Sequence, residues 1–218
     1  MSVYEQLSDN KGTVSSALSK TLARKVLDQG QLEILMECIQ LAIYEASKPE
    51  ARHIRAAASK VVELVAEKQP ELVAPHLERL FPALSVPEPQ TRWVTIRVMG
   101  YCSRSNMPAA EKAIPYAEKY LDAKEGLCIA SSADLFLGDF GAISREAAQT
   151  IFPILALSMD TVIENEQDWL LEAIFKVFPN LDQVNQVIAR QFAERWQYSS
   201  RKSTQQRARK ILRLRQQI

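Results

Sequence analysis

The chain has 218 residues, with 27 Lys+Arg against 26 Asp+Glu, 47% hydrophobic residues, six glycines and ten prolines. A chain of this length buries roughly 70% of the surface it exposes when unfolded, so neither a disulfide framework nor a structural metal is needed for stability. Aromatics at 7%, few glycines and a mean hydropathy of −0.16 argue against an all-β fold and exclude a membrane bundle.

Apolar residues recur at three and four from Val14 through Leu18, Leu22, Val26 and Leu27, with Gly30 as a stop, which predicts a first amphipathic helix that caps the N-terminal end over 1–30. A second run carries Leu32, Leu35, Met36, Ile39 and Ile43 toward the Ser47-Lys48-Pro49 break, and a third carries Ile54, Ala57, Ala58, Val61, Val62 and Val65 toward Gln69-Pro70. The helical pattern continues to the C-terminus, with polar or proline-containing breaks near 85–89, 105–108, 122–125, 141–144, 160–166, 179–182 and 199–203. Nothing reads as a strand. The longest apolar run, Ile151 to Met159, is about half of the ~20 residues a spanning helix needs and contains Pro153. Met1 to Gln6 has no basic stretch leading into an apolar core, and Cys38, Cys102 and Cys128 are odd in number and set apart. We therefore expect a cytoplasmic protein with reduced thiols and no membrane span.

The even spacing of the breaks points to an internal repeat. Val73-Ala-Pro75-His-Leu, Ala113-Ile-Pro115-Tyr-Ala and Ile151-Phe-Pro153-Ile-Leu each place a proline after small or apolar residues, 40 and 38 residues apart. Asp122 and Asp160 both fall seven residues after their prolines, where the first helix of a pair should end. The second helices of two pairs open on Arg52-His-Ile-Arg55-Ala-Ala-Ala58 and Arg92-Trp-Val-Thr-Ile-Arg97-Val-Met-Gly100. An early proline in the first helix, Asp at the turn and an arginine followed by Ala or Gly in the second, at a period near 40, resembles the HEAT repeat family over residues 31–218. The resemblance implies an all-α, right-handed α-α superhelix, a HEAT-like solenoid of about five helical pairs forming one domain over 1–218. The last pair lacks the proline, and neither Leu127-Cys128 nor Trp169-Leu170 supplies the arginine, so HEAT and armadillo subtypes stay open.

Groups for catalysis are few. His53 and His76 are the only histidines and stand apart from Cys and acid clusters, so no metal site is expected. Gly138-Asp-Phe-Gly141 lacks the lysine and Ser/Thr of a phosphate loop and reads as a turn, and its likeness to the kinase Asp-Phe-Gly triplet ends at those three residues. We expect neither catalytic residues nor a cofactor. DNA glycosylases of the AlkD type share HEAT-like repeats and use tryptophans and an aspartate; Trp93, Trp169 and Asp168 supply those residue types without a matching local motif.

Charge is more informative. Residues 190–218 contain nine cations against the single acid Glu194, a net +8, and the remaining 189 residues carry −7. Residues 201–218 read as a basic capping helix whose apolar stripe is Ala208, Ile211, Leu212 and Ile218, with Arg201, Lys202, Arg207 and Lys210 as a basic contact surface or as a solvated outer face. A second cluster joins Arg52, His53, Arg55 and Lys60 to Arg92, Arg97 and Arg104. If second helices line the concave face, as the HEAT resemblance implies, Arg52, Arg55, Arg92, Trp93 and Arg97 form a binding ladder; the alternative is that the arginines bond turn carboxylates and helix-end carbonyls between repeats. An exposed Trp93 would favour recognition and a buried one packing. The expected function is a non-enzymatic scaffold whose concave face engages a protein segment. The alternative is nucleic-acid binding by the same arginines, and a third reading is head-to-tail self-association of acidic body and basic end.

Overall fold

A computed structural model describes residues 1–9, 16–160 and 167–215; Val14, Ile218 and most of the break at 160–166 lie outside them. The described residues form thirteen α-helices and four 3-10 segments, with no strand among them. They pack as two compact units, Met1–Ala113 and Ile114–Ile218.

In the first unit, α1 (Val3–Ser8) and α2 (Ser16–Gln29) precede the pair α3 (Leu32–Leu41) and α4 (Arg52–Lys68). A second pair follows, made of α5 (Pro70–Val73) continued by the 3-10 helix Ala74–Ser85, and α6 (Pro89–Cys102); α7 (Met107–Glu111) closes the unit. Helices α2, α4 and α6 pack side by side, and α3 lies beside the 70–85 segment. The stop expected at Gly30 is present: Gly30 adopts φ +67°, and the N–H of Gln31 bonds the Lys25 carbonyl six residues back at 3.2 Å. That left-handed turn is one a glycine adopts without a Cβ penalty.

The second unit holds three pairs: α8 (Ile114–Tyr120) with α9 (Leu127–Gly141), α10 (Arg145–Asp160) with α11 (Gln167–Val177), and α12 (Gln183–Trp196) with α13 (Lys202–Arg213). Here α9, α11 and α13 pack in a row. Close approach is set by small residues. A Cβ on Gly138 would fall 2.6 Å from the Ala173 Cα, and one on Gly141 would fall 2.6 Å from Val177 Cγ1. Five pairs with α1 and α2 ahead of them make up the expected all-α helical-repeat class. No helix among the described residues is long and apolar enough to cross a membrane.

Several elements depart from the sequence reading. The single helix expected over 1–30 is two among the described residues, α1 and α2, and 138–141, expected as a turn, is the last turn of α9. Residues 74–85 form a 3-10 helix instead of an α-helix, because the buried Ala74, Leu77, Leu80 and Ala83 recur at every third position and Pro82 removes an amide donor within the segment. The prolines also do not share one structural place. Pro115 is the second residue of α8, but α10 already begins at Arg145, so Pro153 lies in its interior. Pro153 and Gln149 are exposed, which puts the hydrogen bond that proline forfeits on the solvent side.

Candidate binding surfaces

The arginine ladder expected on α4 and α6 does not form as a surface. Arg55 is 0% exposed. Its Nε and Nη2 donate to the two Glu88 carboxylate oxygens at 2.8 and 2.7 Å, and Nη1 donates to the carbonyls of Tyr44, Glu45 and Lys48 at 3.1, 2.8 and 2.9 Å. One guanidinium thus caps the turn between α3 and α4, where Glu45 has φ 43°, and ties it to the residue preceding α6. A planar fork with five donors satisfies all these acceptors where a lysine would not. Burial pushes the Glu88 carboxyl up, but the hydrogen bonds from Arg55 and Thr91 outweigh it and hold the group below its ordinary value.

Arg97 is 8% exposed and lays its guanidinium 4.5 Å from the centre of the Tyr101 ring, so it also belongs to the packing. Arg92 and Trp93 are half-buried, and Arg52 and Arg104 are exposed. Lys60 pairs with Glu63 one turn on, and His53 Nδ1 lies 3.2 Å from the Glu50 carbonyl oxygen. Of the five residues of the ladder, Arg55 and Arg97 are therefore removed by burial, which leaves Arg52 with the partly covered Arg92 and Trp93.

The basic C-terminal helix docks. Thr204, Ala208 and Ile211 are its buried stripe against α11 and α12. The buried Asp168 accepts a hydrogen bond from the Thr204 hydroxyl and lies 3.5 Å from both Arg201 and Arg207. Arg207 also reaches Glu172 at 3.2 Å and stands 5.2 Å above the Trp169 ring. Lys210 lies 5.7 Å from the centre of the Phe175 ring. Arg190 donates to the carbonyls of Leu212 and Leu214, closing the helix end. Arg207 and Arg201 are thus engaged by carboxylates of α11, and Lys202 and Lys210 are exposed. Asp168 is a structural tie between α11 and α13, with Trp169 beside it as the more accessible group.

One surface was not anticipated. Leu127 opens α9 and Trp169 is the third residue of α11; both are 37% exposed. Arg201 and Lys202 stand at the start of α13. The N-terminal edges of three neighbouring second helices therefore present two apolar side chains and two cations. The sequence signal was available at Leu127-Cys128 and Trp169-Leu170, where the position of the repeat arginine is taken by large apolar residues.

Asp139 is paired with Lys176 at 2.5 Å, so the Asp-Phe-Gly triplet is part of the α9–α11 contact. Among the described residues no group of three His, Cys, Asp or Glu side chains is placed to hold a metal ion.

No protein-family model matches the chain, and no curated protein matches it. Solved structures do. An engineered protein superposes with a TM-score of 0.66 at 14% identity, covering 87% of this chain and 81% of the other. A designed armadillo repeat protein in complex with the peptide (KR)4 superposes with a TM-score of 0.62 at 14% identity, covering 87% of this chain and 84% of the other. Another designed armadillo repeat protein gives 0.60 at 15% identity with the same coverage. The fold is that of a helical-repeat solenoid. At these identities the likeness extends to the fold and not to a particular HEAT or armadillo family.

Proposed function

We propose that the chain is a non-enzymatic, intracellular protein-binding module that engages a polypeptide segment along the N-terminal edge of α9, α11 and α13. The observation that carries this reading is Trp169, 37% exposed on a helix row and topped by the Arg207 guanidinium. Tryptophan and arginine dominate the energetics of protein interfaces, and an indole already held by a neighbouring cation loses little freedom on binding. Leu127 supplies a second apolar anchor, while Lys202 and the positive ends of the helix dipoles favour acidic residues beside the apolar ones. The peptide held by a designed armadillo repeat protein of the same fold supports the choice of an extended segment as ligand. The two buried cysteines and the exposed Cys128, all free thiols, support the intracellular setting.

Peptides selected from a random display library against the folded protein test it. Calorimetry should show that Trp169→Ala weakens the best binder by about 2 kcal/mol or more, roughly thirtyfold, with thermal stability retained. Failure to enrich any peptide, or equal affinity for wild type and variant, rejects the reading.

A further inference from the structure

The outer stripe of α13 carries a charge pattern that docking does not explain. With about 100° per residue, Lys202, Arg209 and Arg213 fall within about 40° of one another, opposite the buried Thr204, Ala208 and Ile211, and span roughly 16 Å of helix. All three are exposed, and Gln206 lies among them. From Arg195 to Arg215 the sequence contains no acid, so the stripe has no carboxylate at helical spacing to neutralise it. The carboxylates that α11 offers, Asp168 and Glu172, are taken by Arg201 and Arg207 on the flank of the helix. A terminal helix needs a polar outer face to stay soluble, but not one of a single sign. Arg209 and Arg213 repel at i,i+4, and Lys202 opposes the positive end of the helix dipole. The stripe thus costs stability that a mixed-charge cap would not.

We infer that this stripe docks the phosphate backbone of duplex nucleic acid. The chemistry of the face selects that partner among polyanions. No exposed aromatic stands on the stripe to stack unpaired bases, which disfavours a single strand. No apolar side chain stands there either, whereas protein interfaces and bilayer-bound helices draw much of their affinity from apolar anchors. Cations and a glutamine amide on one helix face match what backbone contacts use, and such contacts read charge and not sequence. Lys202 is common to this stripe and the Trp169 edge, but Arg209 and Arg213 belong to the stripe alone and Trp169 to the edge alone, so either surface can fail alone.

Anisotropy of a labelled 20-base-pair DNA duplex, titrated with the full chain from about 50 to 300 mM salt, tests the inference. Three to four phosphate contacts should give a log–log salt slope of about −3. The exposed pair Arg209→Gln/Arg213→Gln should reduce the slope to about −1 and weaken binding at the lowest salt more than tenfold. Arg24→Gln/Arg104→Gln changes net charge equally on exposed positions of the first unit and should leave both quantities unchanged. Trp169→Ala should likewise leave them unchanged. Absence of binding at 50 mM salt overturns the inference, as does an equal loss in the first-unit control. Competition by poly-glutamate at or below the DNA concentration would assign the stripe to an acidic polypeptide instead, and so also overturns it.

Discussion

Arg55 shows how one side chain converts a repeat boundary into a rigid joint. Its five hydrogen bonds join the α3–α4 turn to Glu88, 33 residues away in sequence. Removing one partner of a buried ion pair leaves the other charge uncompensated, a loss of about 3–5 kcal/mol. Arg55→Met should lower the melting temperature by on the order of 10 °C in calorimetry, and a drop of a degree or two would show that the joint is expendable. The depressed Glu88 carboxyl fixes a pH dependence. A carboxyl lower in the folded than in the unfolded chain stabilises above its ordinary value near 4.3, and that contribution is lost as pH falls through the folded value. Glu88→Gln should therefore flatten the stability profile below about pH 4.5 while lowering stability at neutral pH. The thiols give a third test. Burial pushes Cys38 and Cys102 up to about 12, while Cys128 is exposed. Native protein should react with one equivalent of a thiol reagent and denatured protein with three.

Between elements, the decisive contacts are those that permit no side chain or that need a particular one. Alanine is normally the better helix former, yet the Cβ of Gly138→Ala would meet the Ala173 backbone, which has no rotamer to move. Overpacking should win, at about 1–3 kcal/mol of destabilisation in a denaturant melt. An unchanged or raised midpoint would mean that α9 and α11 can separate freely. The paired helices and their count were legible in the sequence, because prolines, Gly30 and an i, i+3, i+4 apolar stripe are local signals, whereas the stripe of the basic C-terminal helix favoured docking without deciding it. The 3-10 helix at 74–85 was hidden because a spacing of three is also half of the α-helical pattern. Arg55 was misplaced for a related reason. It sits at i−3 and i−7 from the buried Ala58 and Val62, on the apolar stripe, but its partner Glu88 is a repeat away and no local rule connects them. The Trp169 edge was passed over because it showed only as the absence of an expected arginine.

At the scale of the molecule, charge is sorted by sequence position. Residues 114–189 contain four cations and twelve acids, and 190–218 reverse this, while the first unit is nearly balanced. Part of that contrast is spent inside the second unit, where Asp168 and Glu172 hold Arg201 and Arg207. Lys202, Arg209, Lys210 and Arg213 face solvent on α13. The same helix thus carries a neutralised flank that fastens it and a charged stripe that remains available to an anion.

The 74–85 segment has a different kind of consequence. A 3-10 helix rises about 2.0 Å per residue against about 1.5 Å in an α-helix, so twelve residues reach about 24 Å where α-helical winding would reach about 18 Å. This repeat spans a full helix length with about four residues fewer than its neighbours would need. A lineage can shorten such a module by a turn of chain and keep the stacking distance, provided that the shortened stretch keeps an apolar residue at every third place.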